Sequence, residues 1–320
     1  MRVGVLGALN VDIVVHGSAP HNLGELRGWV GPSEITCLTA GSVGYFAQNL
    51  AKMGCNVHLV STIADDTHGK SIISSLQSAG IDTDQINVEP RTESGIGVYL
   101  LIFGASKRPM TYKLPTHHAW PPHLAPENIG YLLDTDLVHC GGYLHFPDLW
   151  NKDVPSLFAK AQKNGLITSL DPQFPLSPLE SAWIEVLKPI LVHTDVLFLD
   201  EYEALGVVRA EGFDQAIGKL KRIGVDEVVI KLGERGCLLL NKGAELYQPA
   251  VKPAKFVDSI GAGDSFDVGF LYGILKGFTP EKSAKLAVYV ASKSIEGPGG
   301  TIAFPRISDI EIRDWEREVT

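Results

Sequence analysis

Apolar positions along this chain follow two alternating rhythms. Dense apolar runs at 3–9, 57–63, 137–140, 166–170, 196–199 and 228–232 read as strands buried on both faces. Between them, apolar residues recur every three or four positions at 43–53, 69–79, 152–163, 181–191 and 213–223. That is the spacing of helices with one buried face. Alternation of this kind predicts βαβ units and a largely parallel sheet. Runs at 236–241 and 244–248, joined by Lys242-Gly243, read as a hairpin near the sheet edge. Two helices close the pattern, 264–276 and 280–295, the second with Thr279 as N-cap and Pro280 at the first helical position.

Two segments break the rhythm. The extended runs 12–16 with 28–36, and 96–103 with 110–114, have no helix between them and predict a small antiparallel sheet of their own. The stretch 115–126 is rich in Pro and His and reads as a surface loop. A length of 320 residues suits a single α/β domain spanning 1–320 with this β appendage, and 45% hydrophobic residues suffice for its core. The net charge of -9 argues against a nucleic-acid partner, which wants a basic face. No apolar run is long enough to span a membrane. Met1-Arg2 leads straight into a strand pattern, so no leader is expected. Cys37, Cys55, Cys140 and Cys237 form no Cys-x-x-Cys pair and fit reduced thiols of a cytoplasmic protein. His117 and His118 are adjacent, so they point apart and make no metal pair.

The strongest chemical signal is Asp258-Ser259-Ile260-Gly261-Ala262-Gly263-Asp264, a glycine-rich turn feeding an apolar helix. Gly261, Ala262 and Gly263 leave backbone N–H groups bare at the positive end of a helix dipole, which suits a phosphate or a developing anion. Asp264 stands where a carboxylate can take a proton from an attacking hydroxyl. Taken alone, these residues favour Asp264 as the N-cap of its helix.

The run Asp258-Ser259-x-Gly261-Ala262-Gly263-Asp264-x-Phe266-x-x-Gly269-Phe270 resembles the C-terminal signature of the ribokinase, or PfkB, family of ATP-dependent sugar and nucleoside kinases. Ser259 stands where the family usually has Thr. Further landmarks follow in the family's order from Val3 to Gly300. The resemblance implies a ribokinase-like three-layer α/β/α core with a mostly parallel sheet and a small antiparallel β lid. The lid strands would lie within 12–36 and 96–114, over the sugar site, at a surface that also serves for homodimers. It assigns Asp264 as the base and Gly261, Ala262 and Gly263 as the anion-holding turn.

On the acceptor side, Ala40-Gly41-Ser42-Val43-Gly44-Tyr45-Phe46-Ala47-Gln48-Asn49-Leu50-Ala51-Lys52-Met53-Gly54 resembles the family's first signature at Gly41, Ala47, Leu50, Ala51 and Gly54. Ala40 replaces its first glycine, and Tyr45 stands at the sugar-binding asparagine. A tyrosine offers one hydroxyl and a flat apolar face, which suits an aromatic base, a bulkier sugar or an apolar substrate face; otherwise it turns into the core. Asp12 follows a strand without Gly-x-Gly-x-x-Gly spacing, so a dinucleotide site is excluded. The resemblance makes Asp12, Gly41, Ser42 and Tyr45 substrate-binding.

On the nucleotide side, Asp171-Pro172-Gln173 resembles the family's Asp-Pro-Asn. Asp200-Glu201-Tyr202-Glu203 stands where Asn-x-x-Glu usually meets Mg²⁺ and the ATP phosphates. Lys231, Gly233 and Gly236 match a nucleotide-contacting turn, with Lys231 in place of Thr. Without the resemblance, the acid pair fits a helix N-terminus and Lys231 an exposed strand end. Gly297-Pro298-Gly299-Gly300, with the backbone at Asp258 and Ile260, corresponds to a monovalent-cation (K⁺) site known in part of the family. The resulting expectation is an ATP- and Mg²⁺-dependent kinase acting on a sugar hydroxyl, with nucleosides as the second acceptor class. A silent ligand-binding relative is the alternative that Ala40, Tyr45, Gln173 and Asp200 bring up.

Overall fold

The computed structural model describes residues 1–17, 23–28, 30–31, 33–102, 109–117, 124–176, 178–179 and 182–310. The chain opens with β1 (Arg2–Leu6), β2 (Asn10–Gly17), α1 (Leu23–Leu26), β3 (Ser33–Ala40) and α2 (Gly44–Lys52). There follow β4 (Asn56–Ala64), α3 (Thr67–Ser78), β5 (Ile86–Glu89), β6 (Ile96–Leu101), β7 (Met110–Lys113) and α4 (Pro126–Leu133). The next stretch runs β8 (Leu137–Gly141), α5 (Asp153–Lys163), β9 (Ile167–Asp171), α6 (Trp183–Leu191), β10 (Val196–Asp200), α7 (Glu201–Val208) and α8 (Phe213–Leu220). The chain then forms β11 (Glu227–Lys231), β12 (Cys237–Asn241), β13 (Ala244–Gln248), α9 (Ala262–Leu275), α10 (Pro280–Ser294) and α11 (Gly299–Ile302).

The main sheet has the order β13-β12-β11-β10-β9-β8-β1-β4-β5. Every pair from β11 to β5 is parallel, and the β12–β13 hairpin closes one edge antiparallel. Its turn residues Lys242 and Gly243 both have positive φ, as the tight hairpin requires. Alternation along each strand sorts the core into two layers. Val196, Phe198 and Val229 pack with residues of α2, α9 and α10, whereas Leu197, Leu199, Val228 and Ile230 pack with residues of α5, α6 and α7. The chain lays β4 and β5 on one side of β1 and β8 to β11 on the other. The carboxyl ends of the strands thus open at a topological switch point, where α/β sheets hold ligands.

The second sheet has the order β3-β2-β6-β7 and corrects one expectation. It is mixed rather than antiparallel, because β2 and β6 pair parallel. The reason is topological: β2 continues from β1, and β6 follows β5, and those core strands run in the same direction. Both therefore leave the core at the same edge, and only the return strands β3 and β7 run antiparallel to them. The expected strand end at Phe103, and His118 with the Pro-rich loop after it, lie outside the described residues. Five elements had no counterpart in the hydrophobic pattern, the short α1 and α11 among them. β5 buries only Ile86, α4 starts at Pro126 where a loop was expected to end, and α7 is a short helix announced only by its acids. Among the described residues, no helix is long and apolar enough to cross a membrane.

Candidate active site

The loop before α9 crosses from the main sheet to the lid. Asp258 is 1% exposed, and its Oδ1 accepts from Ile260 N at 2.8 Å, bending the backbone toward Gly261. Gly261 takes the left-handed conformation (φ 68°) as the N-cap of α9, with no side chain capping the helix. Asp264 therefore sits in the first turn of α9 and is not its cap, and the first N–H groups of the helix lack intrahelical acceptors. Burial, followed by the charge on Asp171, pushes the Asp264 carboxyl up to about 7, against a downward pull from the Lys231 ammonium.

The acceptor-side residues converge on this turn. Tyr45 Oη donates to Asp12 Oδ2 at 3.0 Å, joining α2 to the lid strand β2. A Cβ on Gly261 would stand 3.0 Å from Tyr45 Cδ2, so the ring lies directly against the loop before α9. Tyr45 is only 3% exposed and packs with Val14, Ala40, Leu101 and Ile260. The ring thus takes the core-turned alternative, among the residues of the lid core. Burial raises the Asp12 carboxyl to about 6, although the Tyr45 hydrogen bond lowers it. Gly41 and Ser42 serve the chain itself. A Cβ on Gly41 (φ 96°) would meet Ala8 O at 2.4 Å, and Ser42 Oγ accepts from Ala8 N at 2.9 Å. Together they pin the start of α2 to the turn between β1 and β2.

The nucleotide-side residues lie at the carboxyl ends of β9, β10 and β11. Lys231 is no exposed strand-end lysine: its Nζ donates to Asp171 Oδ2 at 2.8 Å and to both Asp267 carboxylate oxygens at 3.2 Å. Burial opposes the ammonium, but Asp171 and Asp267 overcome it and raise Lys231 well above its usual range. Burial likewise works against the Asp171 carboxylate, and Lys231 outweighs it to hold Asp171 low. Asp200 and Glu203 form a capping box at α7: Asp200 Oδ1 accepts from Glu203 N, and Glu203 Oε2 accepts from Asp200 N, each at 2.7 Å. Each carboxylate keeps a second oxygen for other work. Burial, with Asp171 and Asp200 nearby, pushes Glu203 up to about 8. Gly233 (φ 59°) has nothing within 4 Å of a Cβ position and lies open, whereas Gly236 (φ 104°) is crowded by Gln248 O.

Asp171 and Asp267 carry no role from sequence reasoning, yet they hold the lysine. In sequence Asp171 shows only its likeness to Asp-Pro-Asn. Asp267 could have been found from its place three residues after Asp264, on the same helix face. A second unforeseen group is a buried amide. Asn49 Nδ2 donates to Ser265 Oγ (3.1 Å) and Gly300 O (2.9 Å), and its Oδ1 accepts from Thr301 Oγ (2.7 Å). The glycine loop 297–300 is also tied to the Asp258 carboxylate by Gly299 N, 3.0 Å from Oδ2. His16 Nε2, from the lid, stands 3.3 Å from that same oxygen. Both oxygens of Asp258 are thus engaged by protein groups.

A family model described as pfkB family carbohydrate kinase matches residues 32–307. A 2-dehydro-3-deoxygluconokinase of Thermoproteus tenax is 26% identical over 275 residues, covering 85% of this chain and 84% of the relative. A ribokinase of Arabidopsis thaliana is 24% identical over 306 residues, covering 94% of this chain and 78% of the relative. Among solved structures, Arabidopsis thaliana ribokinase complexed with ribose and ATP superposes with TM-score 0.78 at 22% identity, over 96% of each chain. Burkholderia thailandensis nucleoside kinase in complex with inosine gives TM-score 0.76 at 19% identity, over 99% of each chain. At these identities the structural likeness establishes a common fold.

Proposed function

The chain belongs to the pfkB family and is an ATP-dependent carbohydrate kinase, and we propose that Asp264 is the general base of its phosphoryl transfer. The observation that carries this reading is the position of Asp264. It lies in the first turn of α9, behind a left-handed glycine, within electrostatic reach of Asp12, Tyr45 and Lys231. In this reading the acceptor hydroxyl gives its proton to an Asp264 carboxylate oxygen as it attacks the γ-phosphorus, and the bond from that phosphorus to the bridging oxygen breaks with ADP as the leaving group. The N–H groups of Gly261 and Gly263 face the charge that develops on the transferring group, while Ala262 N donates to Ser259 O at 3.3 Å. Asp12 orients the acceptor. Gly41 and Ser42 act on it through the turn they hold, and the open Gly233 turn, shaped by Gly236, takes the nucleotide.

The donors on α7 suit Mg²⁺, which needs one or two carboxylates alongside phosphate oxygens and waters. The second oxygens of Glu203 and Asp200 would hold it, partly through water. Bound there, the ion would neutralise phosphate charge. Asp258 is better explained as the brace of the catalytic loop, and no step is assigned to a monovalent cation.

We read 1–320 as one kinase domain and propose a cytoplasmic setting, a reading supported by four cysteines that form no Cys-x-x-Cys pair. Met110, Tyr112 and Leu114, all about half exposed on and beside β7, are the lid surface through which a homodimer would form.

The test is ADP release from Mg-ATP across ribose, fructose, ketohexonates and nucleosides. Turnover on sugars or sugar acids is expected. Turnover on nucleosides alone would remove the carbohydrate reading, and calorimetry finding no ATP binding would remove the kinase reading in favour of a silent relative. Tyr45→Phe is expected to raise KM for the acceptor roughly tenfold, the scale of one hydrogen bond to a charged group, with a smaller change in kcat. Loss of that bond also lets the Asp12 carboxyl rise above about 6, so the KM defect should grow as pH falls. An unchanged KM at both pH 6 and pH 8 would show that the hydroxyl does not prepare Asp12 for substrate.

A further inference from the structure

A lysine beneath the N-terminus of a helix is electrostatically misplaced, since that end of the dipole repels cations. Lys231 occupies such a place. A Cβ built on Gly263, the residue before Asp264, would have Lys231 Nζ as its nearest neighbour, at 3.5 Å. The ammonium lies 5.7 Å from the Phe198 ring centroid, and the side chain is 14% exposed. To reach this point Lys231 extends from β11 past β10 to Asp171 on β9, while Asp267 grips it from α9 itself. Two carboxylates from different elements therefore fix one cation beside the residue that carries the proton chemistry.

We propose that Lys231 is a positioning residue for Asp264: locked by Asp171 and Asp267, its ammonium is an internal counter-charge that keeps the neighbouring base available as an anion. This rests on the reading of Asp264 as the base. The groups acting on Asp264 are Asp171 at the end of β9, Lys231 at the end of β11, Asp12 on β2, Tyr45 on α2 and Asp267 on its own helix. Lys231 is the cation of this set, and the carboxylates oppose it. The sign follows directly: deleting the ammonium leaves burial and carboxylate repulsion in place, so Asp264 becomes harder to ionise.

The decisive measurement is a ¹³C NMR titration of the Asp264 carboxyl carbon in the full chain without ligand, its resonance assigned by its absence in Asp264→Asn. Lys231→Met is expected to move the midpoint upward by about one pH unit or more, and Lys231→Arg to leave it near the wild-type value. If Lys231→Met does not fold, Lys231→Gln retains hydrogen bonding without charge and should show the same upward shift. An unmoved midpoint in the neutral variant overturns the proposal. Unmoved titration with a raised KM for ATP would make Lys231 a phosphate ligand, and unmoved titration with lower thermal stability alone would make it structural. In turnover, the acidic limb of kcat/KM should follow the NMR midpoint in each variant. Full activity in Asp264→Asn would instead remove the base assignment while leaving the titration result standing, so the two failures are distinguishable.

Discussion

Asp264→Asn is expected to lower kcat by about 10²- to 10⁴-fold, the range of a general base, with little change in ATP affinity. The substitution preserves shape and leaves the α9 N–H groups in place, so it removes proton acceptance alone. In the wild type, kcat/KM should rise with pH through a midpoint near 7, because burial holds the carboxyl at about 7 and only the anion accepts a proton. The same shift has a stability consequence with a fixed sign. In the unfolded chain an aspartate titrates at about 3.9, so between that value and about 7 the folded state binds more protons. Stability is therefore greatest below the unfolded value and is lost as pH rises through the folded one. Asn carries no such penalty. Asp264→Asn should melt above the wild type at pH 8, with the gap closing toward pH 4. A variant that is inactive yet equal in melting temperature at both pH values would indicate that Asp264 is not strained by burial. Retained turnover would relegate it to helix structure.

The sequence made the frame legible because its signals are local. Strands buried on both faces announce themselves as unbroken apolar runs, and the hairpin and the Thr279-Pro280 helix start are matters of neighbouring residues. The turn before α9 was legible for the same reason: Gly261, Asp264 and the apolar helix are contiguous. Pairings across the sheet were not. Nothing near Lys231 in sequence indicates that it reaches two strands away to Asp171, and nothing near Tyr45 indicates that its hydroxyl is engaged by Asp12. The mixed lid was illegible because strand direction there follows from where the core releases each strand. The acids of α7 show the converse case. Their spacing fitted both a metal site and a helix start, and the capping box fills the second role while leaving one oxygen each for the first.

Gly300→Ala should disable the enzyme without any contact to substrate. A Cβ at Gly300 would stand 2.5 Å from Gly261 Cα and 2.6 Å from Gly261 C and O, all backbone atoms that cannot swing aside. The reverse contact is nearly as tight, since a Cβ on Gly261 would meet Gly300 Cα at 2.8 Å. The loop before α9 and the glycine loop at α11 thus touch backbone to backbone. Hydrogen bonds leave little freedom to separate: Ser265 Oγ stands 2.9 Å from Gly261 O and 3.0 Å from Gly300 O, and Asn49 Nδ2 also donates to Gly300 O. One methyl group must push the catalytic turn aside, and a displacement near 1 Å at a reacting centre costs about 10²-fold in rate. The accompanying loss of stability should be about 1–3 kcal/mol, the usual range for overpacking. Rates taken well below the melting temperature separate the two effects, since the folded fraction is then complete. Gly130→Ala is the control, because Gly130 lies in α4 with nothing within 4 Å of its Cβ position. It should leave kcat unchanged. A Gly300→Ala enzyme with lowered melting temperature but normal kcat in the cold would show that the turn tolerates displacement. Its N–H groups could then not be the rigid anion site on which the phosphoryl-transfer reading depends.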